Sequence, residues 1–320
     1  MMSLLRFLPL LAATAFAGFG AAVAAVPALL LDGATAGSAV IAVGERGVIL
    51  RSADSGRTWE PVASPADATL TGLAFAADGR HGWAVGHDAL ILATTDGGLT
   101  WNRQWQGPDL EASFLDVCAL DAHHVIAVGA YGLFAETQDG GRTWATRKVL
   151  ADDMHLNRLS RGPAGTLYLA GEHGTLLRSR DAGATWTPID APYDGSFYGI
   201  LPLGGRALLA HGLRGRVYRS DDDGDHWTSV PLDQPALLAT ALRTGTGAVI
   251  LAGQSRAFFV SRDAGRHFAP WATGFTAAVA ELVSAPDGTV IALGEAGATR
   301  LEAARSFSGP AAAVAPPRPD

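Results

Sequence analysis

Short apolar runs, broken by small and polar residues, recur along this chain. In the stretch from Leu70 to Gln104, Leu70, Gly72, Ala74 and Ala76 alternate with Thr71, Leu73 and Phe75, and Asp78-Gly79 then turns the chain. Trp83-Ala84-Val85 is a second apolar run ending at Gly86, and His87-Asp88 turns the chain again. Leu90 to Ala93 is a third run, Thr94 to Thr100 is polar, and Trp101-Asn102-Arg103-Gln104 opens a fourth. Four short runs joined by tight turns predict an antiparallel meander.

The same pattern is written seven times. A strand-like run ends at Gly44, Gly86, Gly129, Gly171, Gly212, Gly253 and Gly294, at spacings of 42, 43, 42, 41, 41 and 41 residues. Ten residues after each of the first six glycines stands an aspartate: Asp54, Asp96, Asp139, Asp181, Asp222 and Asp263. Each lies in a turn of the form S/T-x-D-x-G-x-T/H-W/F, such as Ser52-Ala53-Asp54-Ser55-Gly56-Arg57-Thr58-Trp59. The serine and aspartate oxygens can accept bonds from nearby backbone N–H groups. The glycine supplies a backbone angle that other residues resist. The aromatic residue then enters the core.

A lone meander of this size cannot cover both of its faces. Arranged around an axis, each sheet covers its neighbour, so a period near 42 residues predicts an all-β, seven-bladed β-propeller of four-stranded antiparallel blades with Asp-box turns. The seventh copy lacks the turn: Ala304 stands at the aspartate place, and residues near Arg305-Ser306-Phe307 are the candidates for its fourth strand. The propeller is expected over 26–308, and the Gly/Ala/Pro-rich 309–320 as a disordered tail.

Residues 1–24 are expected to be a signal peptide. Arg6 is the lone early charge, Phe7 to Val23 is apolar, and Ala22-Val23-Ala24 offers a small-x-small cleavage pattern. The expected location is therefore the periplasm or the exterior, with no stable membrane insertion after cleavage. Formal charge is −7, and Lys148 is the sole lysine, so nucleic acid has no electrostatic support as a partner. Cys118, the only cysteine, sits in an apolar strand pattern and reads as a buried thiol.

The turn residues 42–59 (AVGERGVILRSADSGRTW) resemble, along their whole length, the repeat of the photosystem II stability and assembly factor family, also described by its bacterial neuraminidase repeat. The resemblance spans about residues 26–308. Asp153-Met154-His155-Leu156-Asn157, Tyr193-Asp194-Gly195-Ser196-Phe197-Tyr198 and Gly212-Leu213-Arg214-Gly215 resemble its non-photosynthetic bacterial branch, which is often found with RND-type exporters. The resemblance implies a noncatalytic exported scaffold that binds a protein partner at or near a membrane complex, with an exporter component as one candidate partner; a monomer is expected. It implies no cofactor. The alternative is a glycan-binding or sialidase-like Asp-box protein, and a weaker one is a ligand or lipid carrier. The arginine-bearing segment that opens sialidase sites is missing, and no motif supports a catalytic carboxylate pair.

In a four-stranded blade the turns between strands two and three share a face with the connections between blades. The Asp-boxes lie on the other face and are expected to be structural. Loops on a rigid scaffold carry binding residues. The candidate binding set is therefore His155, Asn157, Tyr193, Ser196, Tyr198, Glu172, His173 and Arg214, with Glu45 and Arg46. No ligand spacing supports a metal. Asp221-Asp222-Asp223-Gly224-Asp225 resembles a calcium loop superficially but lacks the distal glutamate.

Overall fold

The computed structural model describes residues 28–301. Seven antiparallel sheets follow one another along the chain, and among the described residues no sheet takes a strand from another. In the first, Leu30–Ala36 pairs with Ala39–Gly44, which pairs with Ile49–Ser52, which pairs with Glu60–Val62. The innermost strands of the later blades are Leu70–Phe75, Phe114–Ala119, Leu156–Arg161, Phe197–Gly204, Leu238–Arg243 and Val279–Ser284. These seven strands surround the axis, each contacting the innermost strand of the next blade, and blade seven closing on blade one.

Blades one to six have four strands each. Blade seven has three among the described residues: Val279–Ser284, Val290–Gly294 and Gly297–Leu301. The fourth strand expected near Arg305-Ser306-Phe307 lies outside the described residues, as do the expected signal peptide and tail.

A bulge explains the seven glycines. In every blade the innermost strand slips by one residue against the second: Leu30 faces Gly44 but Asp32 faces Val43, and Val279 faces Gly294 but Glu281 faces Leu293. The slip draws the incoming chain across the end of the second strand. A Cβ on Gly44 would stand 2.0 Å from the Leu29 carbonyl oxygen, and one on Gly253 would stand 1.9 Å from that of Leu237. Any side chain there would push the bulge apart.

The core is seven separate seams. Seven clusters of buried apolar side chains each join two neighbouring blades. The aromatic residue after each Asp-box packs into the seam with the preceding blade. Trp101 joins Ile41, Val43 and Phe75, and Trp186 joins Ile126 and Phe134. The rings of Trp101 and Phe75 meet edge to face at 6.1 Å, an arrangement worth about 0.5–1.5 kcal/mol beyond burial. Blade seven has no Asp-box, and Trp271 and Phe275 from the end of blade six fill that seam instead.

Candidate functional site

The two faces use their turns differently. On the Asp-box face the side chains bond to the turn itself. Asp54 Oδ1 accepts N–H bonds from Arg57 and Thr58 at 3.0 and 2.9 Å, and its Oδ2 accepts the Thr58 hydroxyl at 2.7 Å. Ser52 Oγ donates to Asp54 and accepts the Gly56 N–H at 2.7 Å. His226 and His267 take the threonine place in blades five and six, bonding Asp222 and Asp263 through Nδ1 at 2.7 and 2.6 Å.

Each box also touches the preceding blade. A Cβ on Gly56, at φ +82°, would stand 2.4 Å from Ile291 of blade seven. The backbone carbonyls beside the box aspartates accept side-chain donors from that blade: Gln104 reaches Gly140, Arg147 Gly183, Arg178 Asp223, Arg219 Ala264 and Arg300 Ser55. The last of these crosses the closing seam. The calcium-like run is engaged in the same way. Asp223 accepts the Tyr168 hydroxyl and lies 3.0 and 2.6 Å from Arg178 and Arg180.

On the opposite face the turns between second and third strands end in left-handed residues. Arg46, Tyr131, His173 and Arg214 have φ of 53°, 53°, 51° and 58° and are exposed. Holding a non-glycine residue there costs on the order of 1 kcal/mol. Arg46, His173 and Arg214 make no hydrogen bond or ion pair among the described residues. Tyr131 is 71% exposed and lies edge-on to His155, with ring centroids 4.7 Å apart. Behind two of these tips lie open grooves. One of about 440 Å³ is lined by Tyr131, Phe134, Arg147, Lys148, Asp109 and Glu111. The other, about 430 Å³, lies beside Arg214, Arg216, Leu232 and Gln234.

Other members of the expected binding set serve the scaffold. Glu172 accepts the backbone N–H of His155 at 2.9 Å, Glu45 that of Leu29 at 3.3 Å and Glu295 that of Ala278 at 3.3 Å. These equivalent glutamates each tie the entry of their own blade. Asn157 donates to the Phe197 carbonyl of the next blade at 2.8 Å. Tyr193 folds back over Gly195 and meets Phe197 edge to face, with the Arg216 guanidinium 5.6 Å from its ring centroid. Ser196 lies at the entry of the same strand, and Tyr198 faces the axis.

The axis carries a group that the sequence reading passed over. The residue after each bulge is, in blade order, Asp32, Gly72, Asp116, Arg158, Gly199, Thr240 and Glu281. Arg158 lies 2.7 Å from Glu281 and 3.9 Å from Asp116. Asp32 accepts the Leu73 N–H at 2.6 Å, and Asp116 that of Leu159 at 2.7 Å, each from the following blade. Burial pushes Asp116 up to about 6 against the pull of Arg158, and pushes Asp32 well above the carboxylate range. Burial also lowers the basicity of Arg158, but Glu281, Asp116 and Asp32 more than reverse this. Cys118 lies nearby, half-buried rather than fully buried as its strand pattern suggested, its thiol pushed up to about 12 by desolvation and Asp116. A charge inside an otherwise apolar innermost strand was the available signal for this layer.

No curated protein matches this chain. Among solved structures it is similar to "YCF48 bound to D1 peptide", at 23% identity and TM-score 0.70 over 85% of this chain and 90% of that one. It is also similar to YCF48 from Cyanidioschyzon merolae, at 18% identity and TM-score 0.71 over 87% and 96%. A streptogramin B lyase structure matches at 12% identity and TM-score 0.74 over 87% and 94%, so the fold alone is compatible with an enzyme. The family described as photosynthesis system II assembly factor YCF48 matches residues 51–109 and 103–303. With most of the propeller so matched, the chain belongs to the YCF48 family of assembly factors.

Proposed function

We propose that this protein is a noncatalytic, exported scaffold that binds an extended segment of a protein partner on the face opposite the Asp-boxes. The observation that carries this reading is the row of exposed left-handed tips, Arg46, Tyr131, His173 and Arg214. Glycine would adopt that backbone with least cost. Side chains retained there and left without internal hydrogen bonds are suited to a contact outside the chain. The open grooves behind Tyr131 and Arg214 combine apolar walls with charged rims, which suits backbone and side chains of an extended peptide. The peptide bound to a YCF48 structure supports the same mode of use. A subunit of a membrane complex, or an exporter component, is the partner class in this reading. The glycan alternative loses support, because Glu45, Glu172 and Glu295 are each engaged with a backbone N–H.

The test is site-specific photocrosslinking in the producing cell. A crosslinker at position 131 or 214 should trap one defined partner segment, and a crosslinker at position 180 on the other face should not. The Arg46→Glu/Arg214→Glu variant should then lose affinity for a synthetic copy of that segment by tenfold or more (order of magnitude for two charge-assisted contacts). Equal trapping from both faces would overturn the reading.

A further inference from the structure

The axial layer borders a small chamber. Its volume is about 110 Å³, and Arg158, Ser160, His211, Thr240 and Glu281 contribute to its wall. A second axial cavity, about 410 Å³, is lined by the later residues of the innermost strands and shares Leu159 and Ser160 with the first. Those strands run toward the Asp-box face, so the larger cavity is a vestibule on that side and the chamber lies behind it.

Two polar groups in the chamber wall lack partners. His211, 3% exposed, fills the space left by Gly199, where a Cβ would stand 2.6 Å from its Nε2. Its Nδ1 lies 3.1 Å from the Leu238 carbonyl oxygen and must therefore carry the proton. Desolvation holds the ring at about 4, so it is neutral and Nε2 offers a lone pair, with no donor to it among the described residues. The buried hydroxyl of Ser160 also lacks a partner. Buried polar atoms left unpaired are costly, and their pairing by a bound species offsets that cost.

The charge of the surroundings selects the species. Burial drives Asp32 toward its neutral form, and the carboxylates Asp116 and Glu281 flank the one guanidinium, Arg158, which therefore has no need of an anion. Among the described residues no three His, Cys, Asp or Glu side chains converge closely enough to hold a metal ion. Glu281 Oε1 already accepts the Thr240 hydroxyl at 2.7 Å and the Leu282 N–H at 3.0 Å. What remains are acceptors, spread around a chamber of a few heavy atoms, with Asp116 just outside the wall as the one carboxylate in excess of the Arg158–Glu281 pair.

From the unpaired His211 nitrogen, the unpaired Ser160 hydroxyl and the one axial carboxylate in excess of the guanidinium, we propose that the chamber is a binding site for a small ammonium group, entered from the Asp-box face. The site is separate from the peptide-binding face and does not depend on that reading.

The experiment is thermal unfolding of the full chain at neutral pH in methylammonium chloride, tetramethylammonium chloride or sodium chloride at equal ionic strength. Methylammonium has N–H donors and tetramethylammonium has none. Methylammonium should raise Tm saturably, by about 2–4 °C at ten times its dissociation constant, and the other salts should not. Ser160→Val, which fills the chamber entrance and removes its hydroxyl, should abolish the rise. A second readout on the unaltered chain is the proton spectrum of ¹⁵N-ammonium, which should show a bound, slowly exchanging signal displaced by methylammonium. Equal shifts in all three salts, a shift that survives in Ser160→Val, or the lack of a bound ¹⁵N-ammonium signal would overturn the proposal.

Discussion

The two faces of the ring carry turns at the same period, yet they use side chains in opposite ways. On the Asp-box face, Asp54 and its equivalents bond inward, and donors such as Arg219 cross to the next blade. On the other face, Arg46, His173 and Arg214 project outward without such bonds. Near-identical residues at equivalent positions serve a contact made the same way in every blade. Unlike residues at equivalent positions, Arg, Tyr, His and Arg at the tips, cannot all serve one internal contact.

The sharpest test of this contrast is the pair Trp101 and Tyr131. Trp101 is 5% exposed in the seam between blades one and two, and Trp101→Ala should cost about 3–5 kcal/mol in urea unfolding. Tyr131→Ala should stay within about 0.5 kcal/mol. Trp101→Phe should be far milder than the alanine change. Its indole N–H is buried without a partner, as are those of Trp59, Trp144, Trp186 and Trp227, and blade six already has Phe268 at this position. A Trp101→Phe loss as large as that of Trp101→Ala would show that the N–H matters.

A smaller effect is expected at the bonds between blades. Arg219 is 7% exposed, donates to the Ala264 carbonyl at 2.9 Å and pairs with Asp221 at 2.5 Å. Arg219→Leu should cost about 1.5–3 kcal/mol, whereas Arg214→Leu on the other face should leave the urea midpoint unchanged.

The third test is the pH profile, where boxes and axis pull in opposite directions. At the boxes, burial raises Asp54 and Asp96 somewhat, but bonds from Thr58 and Ser52, and from Thr100 and Thr94, outweigh it and hold them at about 2. Their folded values lie below the unfolded value of 3.8, so this stabilisation is complete above pH 4 and is lost as pH falls through 2. Asp116 is the reverse. Desolvation sets it at about 6, above its unfolded 3.8, so its cost is complete above pH 6 and is relieved as pH falls toward 4. Alone, this relief would raise stability from pH 7 to about pH 4 by on the order of 2 kcal/mol, but His211, held by desolvation at about 4 against an unfolded 6.5, loses a similar amount over the same range, so stability should stay nearly level down to about pH 4 and fall below it. Asp116→Asn should leave the His211 loss unopposed, so that stability falls from pH 7 to pH 4, and should spare the lower limb. A profile that is unchanged by Asp116→Asn would remove the axis from this account.

The smallest expected change in stability comes from Arg46→Glu/Arg214→Glu. Its unfolding midpoint should match the parent within about 0.5 kcal/mol while segment binding is lost. Stability lost in step with binding would erase the distinction between the faces.

The architecture was legible because it is local. The interval from Gly86 to Asp96 and the turn after it mark the ends of strands observed at Gly82–Gly86 and Leu90–Thr94. The candidate site was legible only in part. Arg46, His173 and Arg214 do stand exposed on the expected face, but Glu45, Glu172 and Asn157 proved to bond backbone groups. A glutamate that faces outward and one that ties its own blade entry look alike until the bulge is known. The axial layer was hidden for the same reason. Asp32, Gly72, Asp116, Arg158, Gly199, Thr240 and Glu281 share no chemistry, and only strand register aligns them. Tyr131 could have been found from the turn pair Ala130-Tyr131, since an aromatic residue at a turn tip has no core to enter.

That, among the described residues, no sheet takes a strand from another has a consequence for how the chain is made. In a ring that closes by exchanging a strand, the first segment synthesised must wait, unpaired, for the last. Here each sheet, as far as the described residues form it, draws on fewer than about 42 consecutive residues and can form as soon as they emerge. Only the final clasp is deferred: Arg300 reaching Ser55 across 245 residues, and the packing of Leu30, Val40 and Ile291 around it. A growing end therefore exposes one apolar blade flank at a time, which limits the surface open to misassembly while the ring is incomplete.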